Sequence, residues 1–194
     1  MKAWNLDVSV ATVDETLSWC LAQGADRLLV AARMHKDGAS HESRWVPSIE
    51  ETAVRELLGR HLIESFTASG WPGTELIDHP GTVFVSSLDK HLISVLSQRE
   101  PLISRWLHQS KPPLPEDLCA LRSGATMPLL ITVTHEGDGW LLSSGKGRPA
   151  LEGIGRSEMK VDNLKEFLFD GPYYCRPWRA TKGASGGARN RRRP

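Results

Sequence analysis

The C-terminal stretch GASGGARNRRRP contains the spacing Gly183-x-Ser185-x-Gly187, which many hydrolases use to present a serine nucleophile. A serine of that kind needs a buried strand before it and a helix after it, because these two elements hold the strained turn. Ser185 is flanked by Gly183, Gly186 and Gly187 and then by arginines, with no large apolar residue near enough to build either element. The match is therefore not interpreted as catalytic.

A second glycine-rich stretch, SGKGR at 144–148, follows a predicted strand and is superficially similar to a phosphate loop. The P-loop needs a glycine, four residues, and then Gly-Lys followed by Ser or Thr. Here Gly139 is one residue too far from the Gly-Lys pair, and Gly147 occupies the hydroxyl position. Nucleotide binding by this route is not predicted, but three basic residues in this stretch and just after it stay candidate phosphate contacts: Lys146, Arg148 and Arg156.

The seven histidines show no HxH, HxxxH or HExxH spacing on any predicted element. Metal ligands would have to be assembled by the fold, so neither a metal site nor a cofactor is predicted. His135 and Glu136 stand at the end of a predicted strand, where such side chains can serve in acid–base catalysis. A polar strand terminus is the preferred interpretation, and these two residues are the only catalytic candidates.

The net charge of +1 conceals a strong asymmetry along the chain. Residues 1–175 carry 17 Lys and Arg against 23 Asp and Glu, whereas the remainder contains seven basic residues and no acidic one. Terminal blocks of like charge typically act as solvated interaction arms. The tail, 179–194, is thus a candidate nucleic-acid contact through Arg179, Lys182, Arg189, Arg191, Arg192 and Arg193.

Tryptophan is unusually frequent, with seven residues against two tyrosines. Three of them, Trp45, Trp71 and Trp178, stand close to prolines in predicted loops, where a large ring can pack over a turn or contact a partner. A closing aromatic flap is the preferred interpretation, and the three residues are also kept as candidate partner contacts.

Length and composition indicate one ordinary globular domain. With 194 residues and 40% apolar content, the chain can bury a hydrophobic core that needs no disulfide bonds or metal ions for its stability. The three cysteines are far apart and are expected to be reduced thiols. No apolar run approaches the ~20 residues of a membrane span, so we expect no membrane contact and a cytoplasmic location.

The periodicity of the apolar residues predicts an α+β fold with a single domain at 1–178. It comprises a β-α-β-like N-terminal part, one long amphipathic helix over about 48–69 and a C-terminal antiparallel β-meander. Capping boxes at Thr12 and Ser48 mark the two helix starts.

Because no catalytic constellation is complete, the sequence favours a non-enzymatic interaction protein, such as an inhibitor, an immunity-type protein or a complex subunit, with a protein as its partner. Its acidic body would suit a basic partner. One alternative is an accessory protein that contacts RNA or DNA through the arginine-rich tail. Another is a small hydrolase or transferase without a recognisable motif.

Overall fold

The computed structural model describes residues 2–37, 44–47, 49–68, 70–75, 80–107, 113–125, 127–143, 145 and 148–160. Within these ranges the chain is an α+β protein with three α-helices and a large antiparallel sheet. The helices are α1 (Val13–Ala22), α2 (Ile49–Leu58) and α3 (Lys90–Arg99). The strands are β1 (Lys2–Leu6), β2 (Arg27–Asp37), β3 (Arg44–Pro47), β4 (Leu62–Ala68), β5 (Gly70–Trp71), β6 (Thr74–Glu75), β7 (Gly81–Ser87), β8 (Glu116–Leu121), β9 (Leu130–Val133), β10 (Asp138–Ser143) and β11 (Ile154–Lys160).

Eight strands follow one another across the main sheet in the order β11-β1-β10-β9-β8-β2-β7-β4. β3 pairs with the C-terminal end of β2 as a ninth strand, and β5 with β6 forms a separate hairpin. All neighbouring pairs are antiparallel. β8, β9 and β10 therefore lie side by side in chain order, whereas β1 and β2, which flank α1, are separated by three strands.

The three helices pack on one face of the sheet. α1 buries Leu17, α2 buries Leu58 and α3 buries Leu92 in one apolar cluster with the facing side chains of β2, β7 and β8. Each such leucine contributes about 1.5–3 kcal/mol by leaving water. The opposite face carries a second buried cluster, which includes Leu29 of β2 and Trp71 of the hairpin.

Local capping explains where two helices begin. The Thr12 hydroxyl accepts a hydrogen bond from the Glu15 amide at 3.4 Å, which confirms the predicted start of α1. At α3, Asp89 Oδ1 accepts from the Leu92 amide at 2.8 Å. A helix ends readily before a residue that precedes proline, and α3 stops at Arg99, just before Glu100 and Pro101.

The long helix predicted over 48–69 is wrong beyond Leu58. Gly59 has a φ of +47°, a conformation that glycine adopts at little cost, and the chain continues as a 3-10 turn, Gly59–His61, and then as β4. Strand pairing with β7 outweighs the helical spacing of the apolar residues in 62–68.

In the described part of the chain, no helix is long and apolar enough to cross a membrane. The predicted boundary between the domain and its tail lies outside the described residues, as does the whole of 161–194.

Candidate functional site

Asp117 is the most unusual residue of the sheet. It lies near the start of β8 with a φ of +57°, the only positive φ of a described residue other than glycine. The register between β2 and β8 shifts beside it, between Leu29 and Ala31. Aspartate is one of the few side chains that tolerate this left-handed conformation, which clusters at functional or strongly constrained positions.

The Asp117 carboxylate joins the β5–β6 hairpin to the end of β9. Its Oδ2 accepts hydrogen bonds from Trp71 Nε1 and from the Thr74 hydroxyl, both at 2.7 Å. Its Oδ1 accepts from the Thr134 amide at 2.8 Å and lies 3.2 Å from the Thr134 hydroxyl. That hydroxyl has one proton and lies closer to the Trp106 carbonyl, at 2.9 Å. Three firm donors therefore converge on Asp117, and we call this arrangement the Asp117 clamp.

Burial raises the pKa of Asp117 above its usual 3.8. The hydrogen bonds from Thr74, Trp71 and the Thr134 amide oppose that shift, and the neighbouring charge of Glu116 adds to it. The donors of the clamp point their protons at both carboxylate oxygens. Both oxygens therefore already accept hydrogen bonds, and the carboxylate connects the hairpin to the end of β9.

Glu116 lies beside the clamp and is equally buried, with a side chain only 1% exposed. Arg33 of β2 compensates its charge through Nε, which is 3.1 Å from Glu116 Oε2. A buried carboxylate without such a partner would cost several kcal/mol. The ion pair therefore secures the junction of β2 and β8.

The fold brings the predicted candidate His135 to these two acidic residues. One ligand atom from each of Glu116, Asp117 and His135 lies within 4.8 Å of the others, and His135 is exposed. Its Nε2 is 4.0 Å from Glu136 Oε1, and Glu136 is 62% exposed, so the two predicted candidates interact weakly with each other. The sequence did not predict that Glu116 and Asp117 are buried. Acidic residues that follow a proline-rich connector usually face solvent.

The remaining predicted contacts are scattered. Arg148 and Arg156 are exposed, and the Arg148 guanidinium donates to the Ile154 carbonyl. Trp71 is 4% exposed and its ring packs against Gly81, so it would reach a partner only if the hairpin lifted from the sheet. The main chain of Trp45 belongs to β3. Outside the described residues lie Lys146, Trp178, Arg179, Lys182, Arg189, Arg191, Arg192 and Arg193.

A second candidate is the outer edge of β4, which ends the main sheet. Among the described strands, β4 bonds only to β7. Ile63 lies at the register shift between Leu62 and Glu64 and is 51% exposed; among the described residues, Val10 is the other exposed large apolar side chain, at 41%. We refer to Leu62–Ala68 with its outward backbone as the β4 edge.

The β4 edge is firmly attached to the rest of the molecule. Arg55 of α2 donates to Ser65 Oγ at 2.8 Å and to Glu51 Oε1 at 2.9 Å. Glu51 Oε2 in turn accepts from the Thr82 hydroxyl of β7 at 3.0 Å. These hydrogen bonds connect α2 to β4 and to β7, and they fix the position of the edge strand on the sheet.

In comparisons with family models, with curated proteins and with solved structures, none matched this chain. Its function is therefore argued from its own residues.

Proposed function

We propose that this chain is a non-enzymatic interaction protein that binds a protein partner at the β4 edge. The partner supplies an extended segment, which continues the main sheet as a further strand. The observation that carries this proposal is the position of β4 at the end of the sheet, with β7 as its one partner among the described strands. An edge strand offers a row of backbone donors and acceptors, and strand addition is a recurrent mode of peptide recognition.

The buried charges support a binding role over a catalytic one. Asp117 accepts hydrogen bonds from Trp71, Thr74 and Thr134, and Glu116 pairs with Arg33. A general acid or base must instead have a proton or a lone pair that substrate can reach. These two buried carboxylates thus hold the sheet and its hairpin together.

Charge indicates which kind of segment would bind. The excess of acidic residues in 1–175 attracts a basic partner and raises its association rate. Exposed Ile63 adds an apolar contact, whereas Thr67, the other exposed side chain of the strand, is polar. The expected partner segment is therefore extended, basic and carries at least one apolar side chain.

The test compares Ile63→Lys with Val10→Lys. Both residues are exposed, at 51% and 41%, so both variants should fold like the parent. The proteins that co-purify with the full chain are identified by mass spectrometry, and the affinity of the purified partner is measured by calorimetry.

A lysine in an edge strand opposes pairing with another strand, so Ile63→Lys should weaken binding at least tenfold. Val10 follows β1, near the other end of the sheet, and Val10→Lys should bind like the parent. Equal affinity for the two variants would remove β4 as the binding surface.

Nucleic-acid binding through the tail is the second proposal, and the four arginines between 189 and 193 favour it. They can neutralise up to about four phosphates, which gives a log–log salt slope of at most roughly −3 to −4. Deletion of 180–194 should abolish salt-dependent binding to duplex DNA or single-stranded RNA and leave the melting temperature unchanged. Equal affinity before and after deletion would refute a role for the tail.

A further inference from the structure

Two histidines that are 30 residues apart in sequence meet beside the N-terminus of α3. His61 ends the 3-10 turn before β4, and His91 lies in the first turn of α3. His61 Nε2 is 3.0 Å from His91 Nδ1, and the ring centroids are 5.2 Å apart with an angle of 24° between the ring planes. His61 is buried at 7% exposure, whereas His91 is exposed. We call these two residues the histidine pair.

The surroundings of His61 determine which of its nitrogens carries the proton. The Ser87 hydroxyl donates its single proton to the His61 carbonyl at 3.5 Å. Ser87 Oγ, 3.3 Å from His61 Nδ1, is then an acceptor, and Asp89 Oδ2 is a further acceptor 3.5 Å from the same nitrogen. His61 therefore holds its proton on Nδ1 and directs the lone pair of Nε2 toward His91.

From this geometry we infer that the histidine pair, with Asp89, is a binding site for a divalent transition-metal ion of the zinc type. The ligands are His61 Nε2 and His91 Nδ1, and water completes the coordination. Imidazole nitrogens select zinc, copper or nickel, whereas magnesium and calcium prefer oxygen ligands.

The observed distances are close to those that such an ion requires. Tetrahedral zinc, at about 2.0–2.1 Å from each nitrogen, holds two imidazole nitrogens about 3.3 Å apart and their ring centroids about 5.2 Å apart. The centroids of His61 and His91 already have that separation, and the nitrogens are 3.0 Å apart. The two rings point almost directly at each other, as in a hydrogen bond, so each must tilt by roughly 35° to open the nitrogens by roughly 0.3 Å and admit the ion while the ring centres stay in place.

Asp89 serves as the carboxylate behind the ligand. Its Oδ1 is fixed by the Leu92 amide, while Oδ2 faces His61 Nδ1. Carboxylates in this position orient the histidine and make its other nitrogen a better ligand. One ligand atom from each of His61, Asp89 and His91 lies within 4.8 Å of the others. The negative charge of Asp89 therefore also stabilises the positive charge of the ion.

The proton balance of binding is simple. In the absence of metal, His91 Nδ1–H donates to His61 Nε2. When the ion binds, that proton leaves Nδ1 and water returns one to Nε2 of the exposed ring. Each histidine stays neutral, both lone pairs reach the ion, and no net proton is released. The site does not depend on strand addition at β4, although it lies beside the start of that strand.

The experiment titrates the full chain with zinc chloride in a calorimeter and compares three variants. His91→Ala should bind one zinc ion fewer per chain than the parent, because an exposed ligand is lost without disturbing the core. Asp89→Asn keeps the helix cap, since asparagine caps as well as aspartate, but should weaken zinc binding at this site about tenfold. Glu152→Ala removes an exposed carboxylate and should bind zinc like the parent.

Electron paramagnetic resonance of the Cu²⁺-loaded parent should show couplings from two imidazole nitrogens, reduced to one in His91→Ala. An unchanged zinc stoichiometry in His91→Ala, an equal loss in Glu152→Ala, or the absence of zinc binding by the parent would overturn the inference.

Discussion

Replacement of Asp117 by alanine should be among the most destabilising single changes in this protein. The variant leaves three buried donors, Trp71 Nε1, the Thr74 hydroxyl and the Thr134 amide, without the acceptor that they have in the parent. Each orphaned donor costs about 1–3 kcal/mol. Alanine also tolerates the φ of +57° less well than aspartate, while loss of a buried carboxylate returns part of the energy that its burial cost. The net loss is about 3–5 kcal/mol, a large share of the 5–15 kcal/mol that stabilises a typical domain.

Asparagine at the same position separates the hydrogen bonds from the backbone conformation. Asp117→Asn tolerates the left-handed conformation and still accepts from the Thr134 amide, but its NH₂ group faces Trp71 Nε1. It should therefore lose only about 1–3 kcal/mol. Glu152→Ala removes an exposed carboxylate and should change stability by less than about 0.5 kcal/mol.

Urea unfolding followed by tryptophan fluorescence measures these three variants against the parent. A loss below about 1 kcal/mol in Asp117→Ala, or equal losses in the alanine and asparagine variants, would refute the Asp117 clamp.

Two further changes test the hairpin and the buried carboxylate. Gly73→Ala should lower the free energy of unfolding by about 2–3 kcal/mol. Gly73 has a φ of +89°, and a Cβ there would lie 2.8 Å from Val133 Cγ2 and 2.9 Å from Ile131 Cγ2. An unchanged melting temperature would contradict this close packing. Because burial raises the pKa of Asp117, the folded state holds this proton more tightly than the unfolded chain. The free energy of unfolding of the parent, relative to that of Asp117→Asn, should therefore fall as pH rises above 3.8 and become constant above the pKa of Asp117 in the folded state. Urea midpoints whose difference between the two proteins does not change with pH would contradict the raised pKa.

Local sequence patterns located the elements whose determinants are short-range. The capping box at Thr12 places α1 correctly, because the Thr12 hydroxyl and the Glu15 amide that it accepts from are only three residues apart. The spacing of apolar residues was misleading beyond Leu58. Leu62, Ile63 and Phe66 continue a helical spacing, yet they form β4. Only the pairing of β4 with β7 decides between the two structures, and that partner is about twenty residues away.

The sites depend still more on contacts between distant residues. His135 stood out as a polar residue at a strand end, but the clamp beside it joins positions 71, 74, 117 and 134, which no spacing rule connects. The histidine pair is likewise invisible to motif searches, because His61 and His91 come from different elements. Side chains that are assembled by sheet order can be predicted only once the strand order is known.

Hydrogen–deuterium exchange of the chain with and without its purified protein partner tests the central proposal most directly. In the isolated chain, backbone amides of Leu62–Ala68 other than Glu64 that point away from β7 should exchange rapidly, because β7 is the one described strand that pairs with β4. Addition of the partner should slow these amides strongly while those of α1 stay unchanged. Protection that appears elsewhere and leaves the β4 edge unaffected would contradict strand addition at β4.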